Sequence, residues 1–324
     1  MRTPIRHLFM KILKHTATKI LISFVLLSVL VLQADWQLFI TTLLQVHSHY
    51  LIIAMLLFFT ATLFSVLRWS HIFMIFNMRP PISYLYVLYV LGSFLNNFLP
   101  TSVGGDVYKY IRLNKRYVGR RGEILASLLG ERGIGFIAFV ILNLLLSMSY
   151  LHMVYASKPL MLLEIFIALT APAMILLYIA FTYNTRPITL LHLPAWVQDK
   201  ITIARDLLRA MRLRPRRLFL AFLYSVLFAW NIALSTWFIF LAFDLNISLM
   251  YTLFIITIVN ITGVLPISFN SIGISEGLQV FLLSLIGVPF ETALVAATIA
   301  RLAHLFITAA SGIPLYILYK QTNL

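Results

Sequence analysis

"NNFLPTSVGGDVYKY", residues 96–110, closes an apolar run and precedes a cluster of basic residues. Two asparagines, a proline, a glycine pair and an aspartate are poor material for a membrane-spanning helix. Each either removes a helical hydrogen bond, competes for one, or raises the entropic cost of helix formation. The stretch is therefore either a connecting loop or polar backbone held inside a bilayer, and the choice decides the fold.

Composition sets the frame for that choice. The 324-residue chain is 61% hydrophobic and 11% charged, with a mean hydropathy of +0.95. Soluble domains carry about 25% charged residues, so this is the composition of a polytopic membrane protein. The alternation of barrel strands is absent, and the expected fold is all-α. Apolar runs predict spans near 18–34, 48–68, 122–150, 159–183, 217–243 and 291–319, with an interfacial helix within 35–47. Basic residues before the first run resemble a signal peptide, but Leu32-Gln33-Ala34 offers no small-residue cleavage pattern, so an uncleaved span is expected. The net charge of +15 sits in loops and helix ends, which points to membrane orientation and anionic lipid rather than nucleic acid. The absence of cysteine excludes thiolate metal sites and disulfides. No metal or cofactor is expected, and no G-x-x-x-x-G-K-[ST] loop indicates ATP use.

Charge then orients the chain. The basic segments 1–19, 68–79, 109–121 and 184–217 read as cytoplasmic, as do both termini, in the inner (cytoplasmic) membrane. Apolar residues 83–99 lie between two such segments, so one full crossing there breaks the parity. Residues 104–116 carry Asp106, Lys109, Arg112 and Lys115 and cannot be a return span. A re-entrant hairpin over 83–116, turning at Pro100, resolves the conflict, since irregular backbone at depth is tolerated when buried in protein or lining a wet cavity.

A second stretch, "NITGVLPISFNSIGISEG" at residues 260–277, repeats the plan. Pro100, Ser102, Gly104 and Asp106 correspond to Pro266, Ser268, Gly273 and Glu276. Each copy is followed by an arginine inside an apolar helix, Arg132 and Arg301, among small residues at helical spacing. The second hairpin is expected over 248–286, and by charge it enters from the opposite side. The expected architecture is one integral membrane domain over 1–324, with six spans and two re-entrant hairpins. The hairpins belong to an inverted repeat, about 83–150 and 248–319, a recurrent plan of transporters.

The set "N-x-L-P…G-G-D…R", "E-R", "L-P…G-x-S-E-G" and "G-V-P…A-R-L" resembles the lysylphosphatidylglycerol synthase transmembrane region, or flippase-like domain family. The likeness extends over about residues 20–315 and is sharpest at Asn97, Pro100, Gly104, Gly105, Asp106, Glu131, Arg132, Pro266, Gly273, Glu276, Gly287, Pro289 and Arg301. It implies an integral membrane protein that moves lipid between leaflets. The synthase domain of the best-understood members has no room in this chain, so synthase activity is not expected. Two departures stand out: "SFNSIG" replaces a proline–glycine–glycine run, and Gly135 stands where an aspartate is common.

A charged side chain at mid-bilayer costs about 2.5–3.5 kcal/mol on insertion scales, so Arg132 and Arg301 need partners. The expected site is a headgroup cavity in which Arg132 and Arg301 attract phosphate. Asn97 and the backbone N–H groups of Gly104, Gly105 and Gly273 would add polar contacts. Asp106, Glu131 and Glu276 balance the arginines or carry a coupling proton, with Glu276 the natural partner of Arg301 and Glu131 beside Arg132. Pro100 and Pro266 are the hairpin turns. Membrane lipids are the expected ligands. The function read from this is a lipid translocase for an anionic, aminoacylated or polyprenyl-phosphate lipid. Two alternatives stay open: a membrane-embedded enzyme acting on polyprenyl phosphate, and a non-transporting partner of a separately encoded glycosyl- or aminoacyltransferase. No catalytic constellation stands out.

Overall fold

The computed structural model describes residues 34–98, 104–183, 212–265 and 268–321 continuously, with scattered residues in 18–32 and 198–210. Every regular element among them is helical. The described residues between 18 and 32 are helical. They are followed by α1 (Trp36–Leu44), α2 (Ser48–Ile75), α3 (Ile82–Phe98), α4 (Gly104–Arg116), α5 (Arg121–Ser149), α6 (Leu151–Ala156), α7 (Lys158–Tyr183), α8 (Pro215–Ala242), α9 (Leu249–Gly263), α10 (Ile274–Ser284) and α11 (Phe290–Gln321). Four of these, α2, α5, α8 and α11, are long and apolar enough to cross a membrane. The chain is thus an all-helical membrane protein. Helix α2 runs seven residues beyond its expected end at 68, which draws Arg68 out of the basic loop and into the helix. Pro100 and Pro266 lie outside the described residues, as does most of the basic segment 184–217.

Two compact units emerge, each assembled from separate stretches of chain. The first comprises Met1–Phe59, Val90–Gly105 and Ile232–Leu324. Its centre is α9, buried on nearly every face from Tyr251 to Val259, as an all-round apolar helix must be. Ser248 caps it by accepting from the Tyr251 N–H at 3.1 Å, and the Tyr251 hydroxyl donates to the Leu282 carbonyl at 2.6 Å. Helix α10 packs on both α9 and α11. The small side chains of Ala293, Ala297 and Ala300 are buried on α11 and give it a face that neighbouring backbone can approach closely.

The second unit comprises Thr60–Tyr89 and Asp106–Asn231. Its core gathers Val66, Trp69, Phe73, Leu85, Leu88, Leu113, Ile124 and Leu128. Trp69 is fully buried, and its indole N–H donates to Ser127 at 3.3 Å. Helix α2 ends where Asn77 takes a positive φ of 57° and the Met78 N–H returns to the Phe73 carbonyl at 3.0 Å. Arg214 closes that end, donating to the Met74 carbonyl at 3.0 Å and to the Asn77 side chain at 2.5 Å. A cation there offsets the negative end of the helix dipole. Asn143 donates to Glu164 at 2.8 Å, joining α5 to α7.

Candidate functional site

In the first unit, the break between α9 and α10 carries the strained backbone. Asn270, Ser271 and Gly273 have φ of 47°, 58° and 83°, and for a non-glycine residue this region costs energy that surrounding contacts must hold. Arg301 supplies those contacts. Its Nε donates to Glu276 Oε1 at 2.5 Å, while its Nη1 and Nη2 donate to the carbonyls of Asn270 and Ser271 at 3.3 and 3.4 Å. The other Glu276 oxygen accepts from the Gly273 N–H at 2.7 Å, closing a capping box at the start of α10. Asn97 stands in the same network: its amide donates to Thr308 at 3.0 Å, and its carbonyl accepts from Asn270 at 2.8 Å. The pairing of Glu276 with Arg301 agrees with expectation. The Gly273 N–H, expected to face an anion, is instead donated to Glu276.

Gly105 is also used by the fold. Its N–H donates to Asn96 at 2.7 Å. A Cβ at this position would run into the Gly92 carbonyl, 2.6 Å from its carbon, and lie 2.9 Å from Asn96 Cγ. The glycine is required because α3 and the start of α4 meet backbone to backbone. Gly104 is the first residue of α4, which sets the short helix carrying Asp106.

The second unit holds a denser cluster. Glu131 was expected beside Arg132, but it pairs with Arg68, and both side chains are buried. Adjacent positions on a helix point about 100° apart, so Glu131 faces the core while Arg132 faces outward. Arg132 pairs instead with Asp106, its side chain 53% exposed against 15% for Asp106. Lys109, buried, lies 3.6 Å from the other Asp106 oxygen. Its ammonium sits over the Tyr89 ring at 4.1 Å and the Trp69 ring at 5.4 Å, a placement the ring quadrupole favours. The Tyr89 hydroxyl donates to Glu131 at 3.4 Å.

Sequence reading did not single out Arg68, Lys109 or Tyr89 as site residues. By sequence Arg68 belongs with the charge of segment 68–79, and Lys109 argues only against a span over 104–116. An available signal was the helical spacing of Asp106 and Lys109, which places them on one face. Gly135 also gains a reason. A Cβ there would lie 2.9 Å from Arg68 Nη1, so the glycine makes room for the Arg68 guanidinium. Gly135→Ala is expected to destabilise the fold by about 1–3 kcal/mol through overpacking, measurable as a lowered denaturation midpoint in detergent.

Each unit thus contains a carboxylate in the first turn of a short helix, paired to an arginine in the long helix that follows: Asp106 with Arg132, and Glu276 with Arg301. These are the residues that correspond in the two echoing stretches. No group of three or more His, Asp or Glu side chains able to hold a metal occurs among the described residues. No curated protein and no solved structure shows significant similarity to the chain. The family model described as the lysylphosphatidylglycerol synthase TM region matches residues 16–312. With nearly its whole length matched and its helices fit to span a membrane, the chain belongs to the lysylphosphatidylglycerol synthase TM region family and is a membrane protein related to lipid handling.

Proposed function

We propose that the protein is a flippase-like lipid translocase of the cytoplasmic membrane. Its cargo is an anionic, aminoacylated or polyprenyl-phosphate lipid, whose headgroup passes Arg132 while the tails stay in the bilayer. The observation that carries this reading is Arg132. It lies about 16 Å along α5 from Arg121, in a helix fit to span the membrane, yet its side chain is half exposed. Leaving such a group facing hydrocarbon is costly, and an anionic headgroup or a wet path satisfies it.

The recurrence of the carboxylate–arginine pair supports an inverted repeat with two re-entrant hairpins, 83–116 and 248–286, among six spans. Helix lengths support it as well. Helices α9 and α10 have 15 and 11 residues, or about 22 and 16 Å against a hydrocarbon core of about 30 Å. Neither crosses alone. The basic segments support cytoplasmic termini. In this scheme Arg132 is the primary headgroup ligand. Arg301 and Asn97 hold the second turn in shape and present its polar side, and Asp106 and Glu276 balance the arginines between turnovers.

The test is lipid translocation in proteoliposomes with headgroup-labelled anionic lipids. Wild type is expected to move label across the bilayer. Arg132→Ala is expected to slow it roughly tenfold or more, with folding retained because the side chain is half exposed. Absence of transport of any lipid by wild type would overturn the reading and favour a role beside a separately encoded transferase.

A further inference from the structure

The second unit's cluster is unevenly charged: among the described residues, Arg68, Lys109 and Arg132 are paired with Asp106 and Glu131. Glu131 is occupied by Arg68. Asp106 therefore makes the direct ion pairs to two cations, one on each of its oxygens: Lys109 on Oδ1 and Arg132 on Oδ2. Deepening the lipid-headgroup reading, on which it rests, we infer that Lys109 and Arg132 together form a two-pronged seat for one phosphoryl anion. Asp106 is the resident counter-ion which that anion displaces.

The chemistry of the seat follows from its occupant. A carboxylate that bridges two cations with separate oxygens presents the same kind of bite as two oxygens of a phosphoryl group, so the exchange keeps both cations paired. Arg132 offers a planar fork suited to phosphate, whereas Lys109 offers a point charge held in place by the Tyr89 and Trp69 rings. Access runs by way of Arg132, the exposed member, and Lys109 is reached once Asp106 moves aside. Asp106 remains favoured after it lets go, because it occupies the first turn of α4, near the positive end of that helix dipole. Among the described residues the cluster holds three cations and two carboxylates, and that excess of positive charge draws the anion in. The pair in the first unit differs: there the arginine also holds two backbone carbonyls of a strained turn, so its carboxylate cannot leave without releasing the turn.

The exchange predicts opposite signs for two changes at one site. Full-length protein in mild detergent is titrated calorimetrically with dihexanoyl phosphatidylglycerol and, separately, with inorganic phosphate. Asp106→Asn is expected to tighten binding severalfold by removing the competitor. Lys109→Met is expected to weaken it at least tenfold, and Lys109→Arg to retain most of it. A denaturation midpoint for each variant separates loss of the seat from loss of the fold. If Asp106→Asn and Lys109→Met shift affinity in the same direction, or neither shifts it, the exchange is wrong. That result would leave the translocase reading standing if Arg132→Ala still slows transport. If inorganic phosphate shows the opposite-sign pattern and the lipid does not bind, the seat is supported with a free anion as its ligand, and the lipid reading falls instead.

Discussion

Glu131→Gln is expected to destabilise the protein by about 3–5 kcal/mol, the largest effect of any single charge removal here. Glu131 is the carboxylate bonded to Arg68, and both are buried within the second unit. Without it Arg68 is left as an uncompensated charge, and Lys109 and Arg132 share only Asp106. Arg68 also lies against the Phe228 ring at 5.6 Å and under Gly135, so it has little room to move towards water. The measurement is reversible unfolding in mixed detergent, read by the midpoint. A double variant, Arg68→Leu with Glu131→Leu, is expected to recover most of the loss, because a buried ion pair replaced by apolar side chains is often neutral. If the double variant is as unstable as the single one, the charge imbalance is not the cause.

Gly105→Val is expected to be the most damaging uncharged substitution. Its Cβ would collide with the Gly92 carbonyl, and that neighbour is backbone inside a helix, with no rotamer to relieve the clash. Separating α3 from the start of α4 would also break the bond from the Gly105 N–H to Asn96. Overpacking typically costs about 1–3 kcal/mol where side chains can shift, and here they cannot. The expected outcome is loss of folded, monodisperse protein on size exclusion, with Gly105→Ala milder and Gly122→Val near wild type. Gly122 has nothing within 4 Å of its would-be Cβ, so it controls for the intrinsic cost of replacing a helical glycine.

Much of the helical layout is legible in the sequence. The apolar runs near 48–68, 122–150, 159–183, 217–243 and 291–319 all fall on helices. The mixed segment 35–47 contains α1, with Asp35 accepting from the Gln37 and Leu38 N–H groups at its start. Hydropathy and cap chemistry are local properties, so a linear reading captures them. The pair Glu276–Arg301 was also within reach, because an arginine inside an apolar helix demands an anion and Glu276 closes the motif that precedes that helix.

Other features depended on contacts that have no signature along the chain. The partner of Glu131 is not its neighbour Arg132 but Arg68, 63 positions away. Charge counting had assigned Arg68 to a loop, and only the packing of α2 against α5 brings it inside. Lys109 reads along the chain as an obstacle to a span, and its place in the charge cluster shows only in the packing, where aromatic rings 20 and 40 positions upstream lie against it.

 The same holds for Asn97, whose contacts with Asn270 and Thr308 join chain segments far apart in sequence.

By itself the sequence determined that this is a helical membrane protein, where its apolar runs lie, and which two stretches echo each other. Those follow from hydropathy, period and residue type, which act locally. The tertiary structure decided which charge answers which. Burial makes an unpaired ion costly, so every buried cation must find an anion, but the distance along the chain to that anion is set by how the helices pack and not by the order of residues.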